Sequence, residues 1–229
     1  MPVKIAIIAA LPREIAALVR GAKADAALLR RGVWLYRVKD AVVVAAGMGA
    51  KRAAVAVEAA LAEGGVGILI STGLAGGCAA GVEAGAVLEA HEVVDALTGQ
   101  RFATAVAAGG RRPVVLATAK TIASVQGKAR LVESYGALLV DMEASTVARI
   151  AQAEGLEFRA IKGVSDGYDF ELSSLAEFAG DRGSFRTGAF ALHTALRPWE
   201  WGKAVELGRG SSKALAGLDE ALRGVLARR

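Results

Sequence analysis

The sequence predicts one α/β domain spanning residues 1–229, and three observations carry that expectation. The run from Leu138 to Asp169, LLVDMEASTVARIAQAEGLEFRAIKGVSDGYD, holds two apolar segments, Leu138 to Val140 and Phe158 to Val164, each ending abruptly in acidic or hydroxyl residues. Between them, Ala144 to Glu154 repeats its apolar residues at three- and four-residue steps, as an amphipathic helix does, so the run reads strand, helix, strand. A chain of 229 residues, 54% of them hydrophobic, suffices for a sizeable core, and only 4 prolines and no long single-sign charge run interrupt it.

The other elements follow in order. Val3 to Ala9 is a near-continuous apolar run, and Pro12 just beyond it suits the first turn of a helix. Glu14 then falls in that first turn, where a carboxylate is favoured by the helix dipole whether or not it does anything else. Val33 to Val38 and Ala41 to Ala46, joined by Lys39-Asp40, read as a hairpin. Gly47-Met48-Gly49 leads into an alanine-rich helix from Ala50 to Glu63, and Gly67 to Ser71 is a further strand. Thr72 to Gly77, TGLAGG, reads as a small-residue loop whose amides, Gly73 included, suit an anion or sugar hydroxyls, or simply a tight turn. Val87 to Ala96 and Pro113 to Ala117 read as strands, separated by a polar section from Thr98 to Arg112. Val125 to Tyr135, Leu172 to Phe178, Thr187 to Leu196 and Ser212 to Ala227 read as helices. Trp199 and Trp201 fit packing or a subunit contact better than a ligand box.

Several functions are disfavoured at this level. The apolar start MPVKIAIIAALPREI breaks early at Pro12 and reads as a core strand, not an export signal, which points to the cytoplasm. No stretch reaches the roughly 20 apolar residues of a membrane span. The single Cys78, with only His91 and His193 as imidazoles, gives little basis for a metal site or a disulfide. The net charge of +5 is scattered among acids, unlike a nucleic-acid surface. GMGAKR between strand and helix resembles the start of a dinucleotide fingerprint, but the third glycine position is Arg52 and the next strand ends without an acid. An NAD-dependent oxidoreductase is therefore not expected. What survives is that Gly47 and Gly49 let backbone approach a ligand or a neighbouring loop closely.

In a parallel sheet the two strands of the Leu138–Asp169 run would end at one edge, where ligands bind. Asp141, Glu143, Ser165 and Asp166 would then face one cleft. The alternative is that Glu143 merely supports a helix N-terminus and Asp166 merely caps a turn.

Five collinear segments, KIAIIAALPREIAAL, AGMGAKRAA, STGLAGG, VDMEAST and KGVSDGYD, resemble the nucleoside phosphorylase and nucleosidase superfamily, especially its methylthioadenosine/S-adenosylhomocysteine nucleosidase branch. The GLAGG loop, the shortened middle section and DMEAS are most similar to the hopanoid-associated members, implicated in removing adenine from an adenosyl-hopane intermediate. The resemblance implies a three-layer α/β/α sandwich with a mixed, partly closed central sheet, usually oligomeric, acting on a small nucleoside without a cofactor. It implies that Glu14 orients the attacking water and that Met142 and Glu143 contact the ribose. Ser165 and Asp166 would then sit at the purine, where the aspartate protonates N7. Asp141 has no assigned role beyond a structural or secondary sugar contact. Two departures from the branch, Leu74 in place of a serine and no stacking aromatic near Lys120 or Thr121, imply a substrate other than plain methylthioadenosine, and Leu74 is compatible with a more apolar 5′ substituent. Arg13 is the only cation close to Glu14, so water is expected in preference to phosphate. A phosphate-dependent phosphorylase and a non-catalytic nucleoside-binding module stand as the alternatives.

Overall fold

The computed structural model describes residues 4–106, 113–171 and 201–228, without the side chains of residues 201, 203 and 204. The predicted helices Leu172 to Phe178 and Thr187 to Leu196, and Trp199, lie outside these residues. The strands are β1 (Lys4–Ala9), β2 (Trp34–Val38), β3 (Ala41–Ala45), β4 (Val66–Ser71), β5 (Leu74–Gly77), β6 (Val87–Glu89), β7 (Glu92–Asp95), β8 (Arg101–Ala103), β9 (Val115–Thr118), β10 (Leu139–Asp141) and β11 (Glu157–Asp166). The helices are α1 (Pro12–Ile15), α2 (Ala26–Leu29), α3 (Ala50–Leu61), α4 (Val125–Tyr135), α5 (Ala144–Ala153) and α6 (Trp201–Ala227).

One mixed sheet runs in the order β2-β3-β1-β4-β11-β5-β10-β9-β7-β8, with β6 paired to β11. The path ends at β2 and β8 without pairing between them, so the sheet does not close. It consists of two parallel blocks. β3, β1, β4 and β11 run one way, while β10, β9 and β7 run the other. β5 joins the blocks, parallel to β11 and antiparallel to β10.

Strand β1 is apolar from Ile5 onward because both of its faces are covered there, as in other buried parallel strands. Ala6 and Ile8 pack with Ala53, Ala56 and Val57 of α3 and with Val147 and Ala148 of α5. Ile5, Ile7 and Ala9 pack on the opposite side with Ile15, Leu18 and Val19 and with Leu218 and Leu222 of α6. This alternation is the three-layer arrangement.

Four departures from the sequence reading have physical causes. TGLAGG is not a loop: beyond Thr72 and Gly73 the chain forms β5, wedged between β11 and β10. Its glycines answer to crowding, since a Cβ on Gly77 would lie 3.1 Å from the carbonyl oxygens of Asp166 and Val82. The expected strand Val87 to Ala96 is two strands, because β6 pairs with β11 while β7 pairs with β9 and β8. The polar section after Thr98 contains β8. Helix α6 begins well before Ser212, and at Gly210 it presses on the sheet: a Cβ there would lie 2.6 Å from the Ser165 carbonyl oxygen. Arg52, at the position where a dinucleotide fingerprint has glycine, donates instead to the Ala46 and Gly32 carbonyls.

Candidate active site

Glu14 lies in the first turn of α1 and is buried. Its Oε2 accepts the Ala10 and Leu11 amides at 3.0 and 2.8 Å, and its Oε1 accepts the Leu74 amide at 3.0 Å. A carboxylate offers about four lone-pair positions. Three are fixed by backbone from two segments, which leaves about one for a ligand. Gly73 makes this possible: its φ of 115° suits glycine, and a Cβ there would stand 2.9 Å from the Glu14 carboxyl carbon.

Asp141, expected to be structural or a secondary sugar contact, ties β9 to the first turn of α5. Its Oδ1 accepts the Thr118 hydroxyl at 2.8 Å, and its Oδ2 accepts the Ala144 amide at 3.0 Å in the first turn of α5. The buried Lys162 ammonium stands 2.9 Å from the same Oδ2 and donates to Ser71 Oγ and the Thr72 carbonyl, each at 3.0 Å. Glu143, although it is the N-cap residue of α5, makes no side-chain cap bond. Its Oε1 accepts the Gly49 amide at 2.6 Å and its Oε2 the Met142 amide at 3.2 Å. Burial first, and the Asp141 charge second, push the Glu143 carboxyl up to about 7, against the pull of Lys162 and the Gly49 amide. Gly49 thus serves a neighbouring carboxylate, with φ at 87°.

Asp166 closes β11 and is fully buried. It caps no turn. Its Oδ2 lies 2.5 Å from the ammonium of Lys128 on α4, and its Oδ1 accepts the Ser165 hydroxyl, which also lies 3.2 Å from the Ala75 carbonyl. Burial raises the Asp166 carboxyl above the ordinary carboxylate range, with Lys128 and Ser165 opposing. Cys78, immediately beyond β5, is buried nearby and its thiol is pushed up to about 12.

These groups line one cavity of ≈ 490 Å³, within the usual range for small-molecule sites. Its wall includes Glu14, Asp141, Met142, Glu143, Ser165 and Asp166, so every side chain singled out in the sequence is brought there. The reason differs from the one expected. β10 and β11 run in opposite senses about β5 and share no carboxyl edge. Their acids meet because Val140 and Asp166 both register on Gly76. A Cβ on Gly76 would lie 3.2 Å from Asp166 Oδ2 and 3.3 Å from both Lys128 Cε and Val140 Cγ1.

The sequence reading missed both lysines. Lys162 had a signal, because a cation inside the apolar run of β11 must find a partner. Lys128 had none: on an amphipathic helix it looks like any solvated lysine. The reading also missed the contribution of α6, whose Leu207, Ser211, Ser212 and Leu215 line the cavity together with Leu74 and Met48. No group of three or more His, Cys, Asp or Glu suited to a metal ion occurs among the described residues. No described helix is long and apolar enough to cross a membrane.

A family model described as the phosphorylase superfamily matches residues 4–124 and 110–195. No curated protein sequence matches the chain. Among solved structures, the fold is similar to the 5′-methylthioadenosine/S-adenosylhomocysteine nucleosidase of Helicobacter pylori, with a TM-score of 0.71, 15% identity and 99% of each chain covered. It is similar to the futalosine hydrolase of the same organism, with a TM-score of 0.70 and 17% identity over 99% of this chain and 98% of that one. The nucleosidase of Neisseria meningitidis, bound to methylthio-immucillin-A, has a TM-score of 0.70 and 20% identity over 99% of each chain.

Proposed function

Since the chain belongs to the phosphorylase superfamily, we propose that it cleaves the N-glycosidic bond of a 5′-substituted adenosine by hydrolysis. The observation that carries this reading is the convergence of Glu14, Glu143 and Asp166 on one cavity, each held by a different set of donors. In this reaction the C1′–N9 bond breaks with its electron pair going to the base, and positive charge develops on the sugar. Asp166 gives a proton to N7, with Ser165 orienting the carboxyl beside it. Glu143 holds ribose hydroxyls against Met142 and stabilises the cationic sugar. Glu14 takes the proton of the water that attacks C1′. Gly73 and Gly49 contribute by setting the Glu14 and Glu143 carboxylates.

Water is favoured over phosphate because the cavity wall carries four acids, Glu14, Asp141, Glu143 and Asp166, against two cations, Arg13 and Lys128. Lys128 is already paired, as is Lys162 behind the wall. An anionic cavity repels a phosphate nucleophile.

The substituent at the 5′ carbon is an apolar one, adenosyl-hopane being the candidate from the sequence. Leu74, Met48, Ile122, Leu207 and Leu215 supply an apolar part of the lining. A soluble, cytoplasmic homo-oligomer completes the reading. Incubation with a panel of 5′-substituted adenosines, with and without phosphate, tests it by product identification. Adenine and a free-ribose fragment are expected without phosphate. A ribose 1-phosphate product formed only with phosphate replaces hydrolysis by phosphorolysis, and binding without turnover favours the non-catalytic module.

A further inference from the structure

Resting on the assignment of Asp166 as the acid at the base, we propose that Lys128 is the proton reservoir behind Asp166, supplying through Oδ2 the proton that the purine takes. The geometry that points to this is the hydrogen-bond arithmetic around the lysine. Its ammonium has three N–H donors. They meet three acceptors, Asp166 Oδ2 at 2.5 Å, the Gly167 carbonyl at 2.6 Å and the Phe170 carbonyl at 3.2 Å. If the proton between Nζ and Oδ2 moves to the carboxyl, the neutral amine keeps two N–H donors for the two carbonyls. Its lone pair then accepts from Asp166. Every group is satisfied on either side of the transfer, so the same cage accommodates ammonium with carboxylate and amine with carboxylic acid.

Burial makes the second arrangement accessible. The side chains of Lys128 and Asp166 are 1% and 0% exposed. The two arrangements carry the same net charge, and removal from water penalises the one with two separated charges. The remaining groups near the pair do not compete for the proton. From β11, Ser165 presents a neutral hydroxyl to Asp166, and beyond β5 the Cys78 thiol, pushed up to about 12, stays protonated. Val140 of β10 presents only a methyl group across Gly76.

The Lys128 proton passes to Asp166 Oδ2, leaving a neutral amine and a carboxylic acid. As N9 takes the electron pair of the breaking C1′–N9 bond, the acid O–H turns from Nζ to the base and its proton passes to N7. Adenine departs, Asp166 is again a carboxylate, and Lys128 regains a proton from solvent.

The test compares wild type with Lys128→Arg and Lys128→Met, using 5′-methylthioadenosine and 4-nitrophenyl β-riboside, whose phenolate leaves without protonation. Arginine keeps the cation but holds its proton, so kcat for methylthioadenosine is expected to fall by about 100-fold while the nitrophenyl riboside falls less than about threefold. Methionine leaves Asp166 to carry its own proton, so the alkaline limb of kcat/KM for methylthioadenosine moves down by about one pH unit or more. In the wild type, that limb is expected with methylthioadenosine and absent with the nitrophenyl riboside, a readout that needs no variant to fold. Equal losses on both substrates assign Lys128 a merely structural role and overturn the proposal, as does a wild-type profile in both variants or an identical alkaline limb for the two substrates. Wild type that releases adenine while the variants match it sinks this inference alone; wild type that releases adenine from none of the panel of 5′-substituted adenosines sinks the proposed function with it.

Discussion

The Gly49 amide donates to Glu143 Oε1 at 2.6 Å across 94 positions of sequence, and it does so against burial and the Asp141 charge, which together push that carboxyl up to about 7. Glu143 must be ionised to stabilise a cationic ribose. The kcat/KM for adenine release is therefore expected to rise as pH increases through about 7. A flat profile between pH 5 and 8 would falsify this role.

The same shift predicts a stability slope. In the folded chain Glu143 keeps its proton to about 7, whereas an ordinary glutamate releases it near 4.5. Between those values the native state binds more protons than the unfolded state, so stability falls as pH rises. The loss is roughly 3 kcal/mol at most, by the relation of about 1.36 kcal/mol per pH unit. Melting of wild type and Glu143→Gln at pH 4.5 and 8 checks it: the wild type should lose more stability between the two, and equal losses would exclude the link.

Lys162 is the cation that holds Glu143 down, and it also pairs with buried Asp141. Lys162→Met removes one partner of a buried pair, which typically costs about 3–5 kcal/mol. It should also move the acid limb of kcat/KM to higher pH. Denaturant melts and a pH profile read the two effects separately. An unchanged limb in a folded variant would show that Glu143 does not feel Lys162.

How much of this site the sequence discloses depends on how far each residue's role is local. Glu14, Glu143 and Asp166 stand out because an acid directly after an apolar strand, or in a first helical turn, breaks the local pattern. The strands and helices of the core were legible from the continuous apolar run of β1 and the helical spacing of α5, whereas the three-layer arrangement was expected only from the family resemblance. Lys128 was illegible because its partner arrives 38 residues later from another element. Gly76 was misread because crowding by Asp166 leaves the same letter in the sequence as a flexible turn does. The antiparallel junction at β5 was equally hidden, since it is made by pairing with β10, which comes from a distant part of the chain.

Gly76 is where the two blocks of the sheet present their residues to the cavity. A methyl group at this position would meet Asp166 Oδ2 at 3.2 Å and Lys128 Cε at 3.3 Å. Gly76→Ala is therefore expected to displace the Lys128–Asp166 pair and cost about 1–3 kcal/mol of stability by overpacking. Adenine release should fall more than substrate binding does. Unchanged kcat together with an unchanged melting temperature would show that the pair tolerates the methyl group.

Glu14→Gln separates the structural and chemical roles of a single carboxylate. The two oxygens of Glu14 accept three amides, from Ala10, Leu11 and Leu74. A glutamine has one acceptor oxygen, and its NH₂ group faces whichever amide that oxygen does not serve. If the oxygen keeps Ala10 and Leu11, the Leu74 amide is left unpaired, at a cost of about 1–3 kcal/mol. The chemical loss is separate, since an amide cannot take the proton of the attacking water, and kcat is expected to fall by about 10²–10⁴. Thermal melting measures the first loss, and adenine release under saturating substrate measures the second. A variant that melts lower yet turns over like the wild type would reduce Glu14 to a backbone clamp for Leu74 and remove the base from the mechanism.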